Sequence, residues 1–351
     1  MLEVLLHQQM KQQGFIRLDH FISQALYHEK YGYYRTRAPV GKENDFITSP
    51  EICSIFGELI GLFLLDYWQK CGWPSPIRLV ELGPGSGTMM ADILKSFRLR
   101  PAIFNHLTVH LVELSQPLKK CQQEKLKAYP FVTWHQHLDE IPDGFQLIVA
   151  NEFFDAFPIR QFRYDKLWTE RFATITESGF CFTEKPLTTP PVHFTPSSPA
   201  LVETSPATLE YVDHIACKIN KRGGLGLFID YGAAKTPWTG DSLQAMKNHQ
   251  YVDIFEDVGN ADITHHVDFL TIQQQFNQHQ LETTTLLSQR DFLLSLGIEQ
   301  RLQQQEKHLS PKELITLKLA ILRLISPQFM GELFKVLIVT SSHIETIKSI
   351  K

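Results

Sequence analysis

A glycine-rich turn between a predicted strand and a predicted helix limits the possible folds of this chain most strongly. Residues 79–94 read LVELGPGSGTMMADIL, so Gly83, Gly85 and Gly87 follow an apolar run and precede a helix-like one. Glycine lets the chain turn tightly and lets a ligand approach the backbone without a Cβ in the way. The dinucleotide fingerprint needs its third glycine at position 88, which is Thr88 here. The spacing is G-x-G-x-G instead, within a turn typical of nucleotide-binding α/β folds.

Short apolar runs rich in branched residues alternate with helix-like stretches along much of the chain. Strands that alternate with helices in this way indicate a doubly wound, mostly parallel sheet. We therefore predict an α/β fold with about seven strands. The predicted strands are residues 77–83, 106–114, 131–135, 145–154, 225–232, 281–288 and 334–342.

The segments outside this alternation set the predicted domain organisation. The stretch SPEICSIFGELIGLFLLDYW has the apolar spacing of one amphipathic helix, and Thr48 and Glu51 have the spacing of a capping box for it. We expect an N-terminal helical segment and lid at residues 1–75, the first half of the core at 76–158, a β-rich insertion at 159–200, and the second half of the core at 201–351 with an irregular insertion at 233–270.

Composition and charge indicate which class of partner and which cellular compartment to expect. The chain has 351 residues, is 43% hydrophobic and carries a net charge of -4, so it has no basic excess with which to hold a nucleic acid. Its five scattered cysteines contain no Cys-x-x-Cys pair and predict reduced, mostly buried thiols. We see no secretory signal and no apolar segment of about 18 residues. We therefore expect a cytoplasmic protein with no membrane span.

Two acidic residues beside the turn indicate the charge of the ligand. Glu81 stands directly before the turn, where its carboxylate would compete with a pyrophosphate for the positive helix N-terminus but would suit an ammonium or sulfonium group. S-adenosylmethionine carries both groups. Glu113 ends the next strand, where such folds use a carboxylate to bind ribose hydroxyls. Either acid alone could be an ordinary surface charge, but together with the glycines they predict a site for this cofactor.

Short segments spread along nearly the whole chain form a specific pattern. They read YGYY, GKENDFITSPEICSIFGE, VELGPGSGT, VELS, ANEFFDAFPIRQF, FIDYG, ADITHHVDF, FLLSLGI and MGELFKVL, in that order. The pattern resembles the MidA-like family of class I S-adenosylmethionine-dependent methyltransferases. The resemblance implies a Rossmann-like, seven-stranded, mostly parallel sheet with a helical N-terminal segment and β-rich insertions covering the cofactor cleft.

The resemblance also implies which residues bind the cofactor. Trp134 and His135 end the third predicted strand, where such folds place the adenine, although a packed tryptophan and a surface histidine are the alternative. The complete predicted cofactor set is Glu81, Gly83, Gly85, Gly87, Thr88, Glu113, Leu114, Trp134 and His135.

The family includes methyltransferases of protein arginine linked to respiratory complex I assembly, so the resemblance implies a protein acceptor and points to a respiratory-chain subunit. An arginine guanidinium stays protonated, so carboxylates must hold it and a base must accept a proton. Asn151, Glu152 and Asp155 cluster after the fourth strand and are the predicted catalytic residues. Asp45 and Glu51 could add carboxylates from the lid. A turn cap at Asp155 and a capping box at Glu51 are the alternatives.

Two other functions stay open from the sequence. An NAD-type oxidoreductase is suggested by the glycine turn and by YGAAK at residues 231–235, although Tyr-x-x-x-Lys pairs need a helix and this one follows a strand with Pro237 close behind. A non-catalytic assembly or scaffold protein would use the long insertions for contacts. The histidines in WHQHLD and DITHHVD lack a third ligand at a set spacing, so we predict no metal site.

Overall fold

The computed structural model describes residues 1–36, 48–233 and 239–341. The helices are α1 (Leu2–Gln13), α2 (Leu18–Tyr27), α3 (Tyr33–Thr36), α4 (Ser49–Ile52), α5 (Ser54–Lys70), α6 (Thr88–Phe97), α7 (Gln116–Lys125), α8 (Pro206–Arg222), α9 (Phe269–Gln278), α10 (Gln289–Ser295), α11 (Ile298–Glu306), α12 (Pro311–Ile325) and α13 (Met330–Leu333). The strands are β1 (Ile16–Arg17), β2 (Ile77–Leu82), β3 (Leu107–Val112), β4 (Val132–His135), β5 (Phe145–Asn151), β6 (Arg160–Asp165), β7 (Leu167–Thr176), β8 (Gly179–Pro186), β9 (Ala200–Thr204), β10 (Gly224–Ala233), β11 (Gln244–Lys247), β12 (Gln250–Val252), β13 (Asp262–Thr264), β14 (Val267–Asp268), β15 (Leu281–Thr283), β16 (Leu287–Ser288) and β17 (Phe334–Ser341).

These elements form two compact units. The first contains the described residues of Met1–Arg37, Phe154–Tyr211 and Ala233–Ile272. The second contains those of Ala38–Phe153, Val212–Gly232 and Gln273–Lys351.

The second unit is built on a mostly parallel sheet with the strand order β15-β17-β10-β5-β2-β3-β4. The pairs from β10 to β4 are parallel, whereas β17 runs antiparallel to both β10 and β15. Every residue of β5 is buried, as expected for a parallel strand covered on both faces. The predicted α/β, Rossmann-like class is confirmed. The stretch predicted as one strand at residues 281–288 is two strands, β15 and β16, which both pair with β17.

The amphipathic helix predicted before the sheet is also two helices. Cys53 has extended dihedral angles and separates α4 from α5. The predicted capping box is wrong, because the side chain of Thr48 makes no capping bond. Glu51 instead accepts hydrogen bonds from hydroxyl groups of the glycine turn. These partners lie far away in sequence, so local spacing could not reveal them.

Helix α5 packs closely against α6 because two glycines on α5 leave room for the backbone of its neighbour. A Cβ on Gly61 would lie 2.9 Å from the Cβ of Ser96 and 3.0 Å from the Cα of Ile93. Ser96 fixes the same contact with a hydrogen bond from its hydroxyl to the carbonyl of Glu58, 2.9 Å long. The close approach buries Ile93 in the core that also contains the central strands.

We expect Gly61→Ala to lower the free energy of unfolding by about 1–2 kcal/mol, because the added methyl group overpacks the helix contact by more than the improved helix propensity offsets. Leu62→Ala is the matched control, since Leu62 is 38% exposed on the same helix and its loss should cost less than about 0.5 kcal/mol. Urea unfolding followed by circular dichroism measures both. Equal or greater stability of Gly61→Ala would contradict the close packing.

The first unit contains the predicted β-rich insertion, which forms an antiparallel sheet with the order β1-β7-β6-β9 and with β8 paired to β7. A tight hairpin joins β7 to β8, where Thr176 pairs with Gly179 and the glycine has a φ of 115°. Phe162, Trp168 and Val202 are buried together in this unit.

The region predicted as irregular at residues 233–270 contains a small sheet of its own. Strand β11 pairs antiparallel with β12 and with β13, so the prediction of irregular structure is wrong here. Ala245 and Ile263 are paired and buried. These strands are three or four residues long, too short for the alternation that identifies a strand in a sequence.

One expectation from composition is also wrong. All five cysteines are free, but Cys53 alone among them is buried, while Cys121 and Cys217 are exposed. Among the described residues, one segment, Pro311–Leu333, is long and apolar enough to cross a membrane by length and composition, and the expectation of no membrane span stays a prediction. A single such segment is weak evidence for a span, because core helices meet the same criteria.

Candidate functional site

The site begins at the centre of the sheet, where β2 lies between β3 and β5. Leu82 pairs with Val112 on one side and with Ala150 on the other, so the segments that follow these strands leave from one edge of the sheet. The chain order along the sheet reverses between β2 and β5. In open α/β sheets, such a switch point at the carboxyl ends of the strands forms the ligand crevice.

The glycine turn lies at this edge with all three glycines in positive φ, at 61°, 51° and 82° for Gly83, Gly85 and Gly87. A Cβ on Gly83 would lie 2.9 Å from the ring of Phe153. The glycine at this position therefore makes room for the protein's own aromatic ring, a reason that the sequence did not reveal.

Gln122 on α7 links three of the predicted cofactor residues, although sequence reasoning missed it. Its Nε2 donates to the carbonyl of Gly85 at 2.7 Å and to Oε2 of Glu113 at 3.0 Å, and its Oε1 accepts from the indole of Trp134 at 2.9 Å. The side chain is fully buried. One sequence signal was available, because Gln122 lies four residues after Leu118 on the buried face of α7.

Two further hydrogen bonds hold Glu113, the second acid beside the turn, in place. Glu113 accepts a hydrogen bond through Oε1 from the backbone N–H of Ser115 at 2.7 Å, and its own N–H donates to the carbonyl of His135 at 3.0 Å. Leu114 follows it and is half-buried. Glu113, Leu114, Trp134 and His135 thus end neighbouring strands of the same sheet.

Glu81 is 2% exposed, and burial raises the pKa of its carboxyl group well above the usual range. The backbone N–H of Met90 opposes this shift, and Glu113 adds to it. Oε2 of Glu81 is buried without a hydrogen-bond partner among the described residues, as is Oδ1 of Asn151. Buried acceptors normally have donors. Both atoms therefore fit a ligand that brings N–H groups, such as the ammonium group of an amino acid.

A cluster of polar side chains covers the turn. The hydroxyls of Ser86 and Thr88 donate to Oε1 of Glu51 on α4. Lys125 donates to the Ser86 hydroxyl at 2.8 Å and lies 3.9 Å from the Glu51 carboxylate. The turn has no basic residue in its own sequence, but α7 supplies this lysine. Its place could not be read from sequence, because it depends on how α7 packs beside the turn.

Glu152 directly follows β5 and has a φ of 51°, a left-handed conformation that is uncommon for a residue other than glycine. Its N–H donates to the carbonyl of Ile229 at 2.9 Å. Its Oε1 accepts from Nδ2 of Asn151 at 3.0 Å and from the N–H of Ser49 at 3.3 Å. Unfavourable backbone conformations persist where surrounding contacts enforce them, and they cluster at functional sites.

Asp230 supports this bend and was also missed from sequence. It is 1% exposed, and its carboxylate accepts hydrogen bonds from the N–H groups of Phe153 at 3.1 Å and Tyr231 at 2.9 Å. Tyr231, the first residue of YGAAK, lies in β10 rather than on a helix, and Lys235 lies outside the described residues.

These segments line a cavity of about 50 Å³. Its lining residues are Thr48, Pro50, Glu51, Glu81, Gly83, Pro84, Gly85, Ser86, Thr88, Met89, Asn151 and Glu152. Ligand pockets are typically about 300–1,000 Å³, so this cavity can hold only one end of a nucleoside cofactor. Residues 41–47 of the predicted lid, including Asp45, lie outside the described residues.

The structure does not place every predicted residue in this cavity. Asp155 belongs to the first unit, where it is buried and its carbonyl accepts from the N–H of His265 at 3.1 Å. Trp134 and His135 are not among the residues that line the cavity. In the part of the chain that the structure describes, no group of three or more potential metal ligands is found.

Comparison with known proteins identifies the family of this chain. Residues 59–287 match the model of a family described as S-adenosyl-L-methionine-dependent methyltransferases. The chain belongs to this MidA-like family. Family membership decides between the open alternatives in favour of a methyltransferase, and S-adenosylmethionine is its cofactor.

Relatives and solved structures agree with the family. Protein arginine methyltransferase NDUFAF7 homolog, mitochondrial, from Drosophila melanogaster is 33% identical over 92% of this chain and 81% of its own length. Protein arginine methyltransferase NDUFAF7, mitochondrial, from Homo sapiens is 30% identical over 93% and 80%. A crystal structure of a superfamily member from Burkholderia thailandensis bound to S-adenosyl-homocysteine has a TM-score of 0.84 and 25% identity, covering 98% of this chain and 92% of that one.

The expected cytoplasmic localisation is wrong by this comparison, because the curated relatives are named as mitochondrial proteins. The expectation rested on reduced cysteines and on the lack of a visible secretory signal or long apolar segment. Neither property is specific to one compartment, so neither could distinguish a cytoplasmic protein from a mitochondrial one.

A pair of histidines, the buried His110 and the half-buried His135, lies at the end of β4. Nδ1 of His110 is 2.9 Å from Nε2 of His135, and Nε2 of His110 is 2.8 Å from the hydroxyl of Thr108. Burial lowers the pKa of His110 to about 4, and the neighbouring His135 adds to the shift. Burial also lowers the pKa of His135, against the opposing effect of Glu140.

We expect Gln122→Leu to weaken S-adenosylmethionine binding on the order of tenfold, because it leaves a carbonyl, a carboxylate and an indole N–H beside the turn without their buried partner. The exposed neighbour Gln123 supplies the control, Gln123→Leu, which should bind like the wild type. Isothermal titration calorimetry measures both. Unchanged affinity in the Gln122 variant would show that this network does not shape the site.

We also expect acidification to destabilise the fold through His110. Its folded pKa is about 4 and its unfolded pKa is about 6.5, so the unfolded chain binds the extra proton between these values and stability falls as the pH drops through them. At about pH 5, protonation of His110 in the unfolded chain lowers the free energy of unfolding by about 2 kcal/mol. His110→Gln should reduce the pH dependence of the free energy of unfolding, whereas the exposed His308→Gln should not. Parallel curves for wild type and His110→Gln would contradict this assignment.

Proposed function

We propose that this chain transfers the methyl group of S-adenosylmethionine to an arginine side chain of a protein. The relatives named above are protein arginine methyltransferases, with similarity over most of both chains. The observation that carries the proposal is Glu152, a carboxylate held in a left-handed backbone conformation at the carboxyl end of β5. A carboxylate fixed at this edge suits a guanidinium group, which needs a planar acceptor.

We propose that the cofactor binds along the same edge of the sheet. Its ammonium group would meet Oε2 of Glu81 and Oδ1 of Asn151, whose buried acceptors have no donor among the described residues. The turn at Gly83, Gly85, Gly87 and Thr88 would pass beside it. Toward β3 and β4, Glu113 would accept from the ribose hydroxyls, and Leu114, Trp134 and His135 would contact the adenine.

The cofactor supplies a methyl group activated by a positively charged sulfur. The protein's part is to align the acceptor nitrogen, to hold its charge and to accept its proton. Oε1 of Glu152 is already bonded to Asn151 and Ser49, which fixes the direction of the carboxylate. The Glu152 carboxylate would accept an N–H of the guanidinium and take the proton that the acceptor nitrogen releases as the new carbon–nitrogen bond forms. Asp155 stays a predicted second carboxylate.

We propose a respiratory-chain subunit as the acceptor protein, from the family resemblance noted in the sequence. Quantitative mass spectrometry of methylated arginine peptides, in cells with and without the gene, tests this part. Loss of a methylated site on another class of protein would replace the proposed acceptor and leave the reaction type intact.

We expect Glu152→Gln to reduce methyl transfer by roughly two to four powers of ten, the usual contribution of general acid–base catalysis, because the amide cannot accept the proton. Cofactor affinity should change little. Single-turnover transfer to the acceptor protein, with a parallel cofactor titration, measures both quantities.

Glu124→Gln is the matched control, since Glu124 is a 75% exposed glutamate on α7. Near-normal transfer by Glu152→Gln would remove this residue from the reaction. Lost cofactor binding would instead assign it to the cofactor pocket.

A further inference from the structure

Helix α12 carries apolar side chains on two opposite faces. Ile321 and Leu324 are buried in the main core of the second unit. Ile315, Leu319 and Leu322 are 60%, 60% and 49% exposed, and their spacing of four and three residues places them in one line along the helix. We call these three residues the α12 stripe. A surface helix normally presents polar residues outward, so a continuous apolar line marks a contact surface.

Cations border the α12 stripe. Lys312, Lys318 and Arg323 each lie three or four residues from a member of the stripe, and all three are exposed. Lys318 also forms an ion pair with Glu306 at 2.7 Å and stays 52% exposed. The outer face of α12 is therefore positively charged, on a chain whose net charge is -4.

The single acid of the helix does not offset these cations at the stripe. Glu313 forms a capping box with Ser310, whose N–H and hydroxyl both donate to its Oε2, at 2.9 Å and 2.6 Å. These bonds hold the carboxylate at the N-terminus of the helix and lower the pKa of its carboxyl group.

We propose that the α12 stripe docks this protein on an anionic lipid surface. An apolar line between cations is the pattern of helices that lie in the membrane interface, where the apolar side chains enter the acyl boundary and the cations meet anionic headgroups. A second copy of the chain fits less well, because a symmetric contact through the same stripe would bring the cations of both copies together.

The geometry favours lying on the membrane rather than crossing it. The helix has 15 residues and is about 22 Å long, shorter than the roughly 30 Å hydrocarbon core. On its inner face, Ile321 and Leu324 are buried in the core. Beyond the helix, Phe329 and Leu333 are 55% and 45% exposed and add apolar surface next in the chain.

Vesicle co-sedimentation of the full-length protein tests the proposal. We expect binding to phosphatidylcholine vesicles that contain about one third phosphatidylglycerol, weakened by salt, and little binding to phosphatidylcholine alone. The double variant Leu319→Asn/Leu322→Asn should reduce the partition coefficient at least roughly tenfold, and Lys312→Gln/Arg323→Gln should reduce it on the order of tenfold.

Two controls separate a local effect from misfolding or a general charge change. Leu99→Asn changes a leucine that is 70% exposed elsewhere in the same unit, and Lys11→Gln/Lys120→Gln removes two other exposed cations. Both should bind vesicles like the wild type. Cofactor titration confirms that each variant is folded, and it is independent of the arginine acceptor.

Three results would overturn the proposal. They are no binding to anionic vesicles, equal binding to neutral ones, and binding unaffected by changes to the α12 stripe. Analytical ultracentrifugation adds a fourth: a wild-type dimer that Leu319→Asn/Leu322→Asn dissociates would show that a second copy covers the stripe.

Discussion

Parallel pairing of β2 with both β3 and β5 is the constraint on which the site depends. Because the chain order reverses between β2 and β5, the segments after these two strands separate and leave a crevice at the carboxyl edge. The glycine turn forms one wall, and Asn151 and Glu152 form the other. Neither wall is a site alone. The sheet register, with Leu82 opposite Ala150, brings them together.

The buried carboxyl group of Glu81 is the physical reason for proposing a cationic ligand in this crevice. Glu81 is buried, one of its oxygens has no hydrogen-bond partner among the described residues, and its pKa is raised because burial disfavours the charged carboxylate. Removing a carboxylate from water is unfavourable unless a charge or donors compensate. A ligand with a positive charge would supply that compensation, so the unfavourable burial of Glu81 in the free protein would favour binding of a cationic ligand over a neutral one.

Side chains behind the crevice keep its first layer in place. Gln122 joins Gly85, Glu113 and Trp134, and Asp230 holds the backbone after Glu152 through Phe153. These residues matter through their buried hydrogen bonds, each of which would leave an unsatisfied group if removed. Glu51 accepts a hydrogen bond from the hydroxyl group of Thr88 instead of forming the local capping box that its spacing suggests.

The sequence by itself determined most strands of the sheet, the glycine turn and the acids beside it, because these follow from local hydrophobic pattern and from motif spacing. Short segments spread along the chain also identified the family. Only the tertiary structure decided that Gln122 and Lys125 reach the turn, that Glu152 is bent into a left-handed conformation, and that α12 leaves apolar residues exposed. Those features depend on which distant elements pack together, and the pattern of neighbouring residues does not predict that packing.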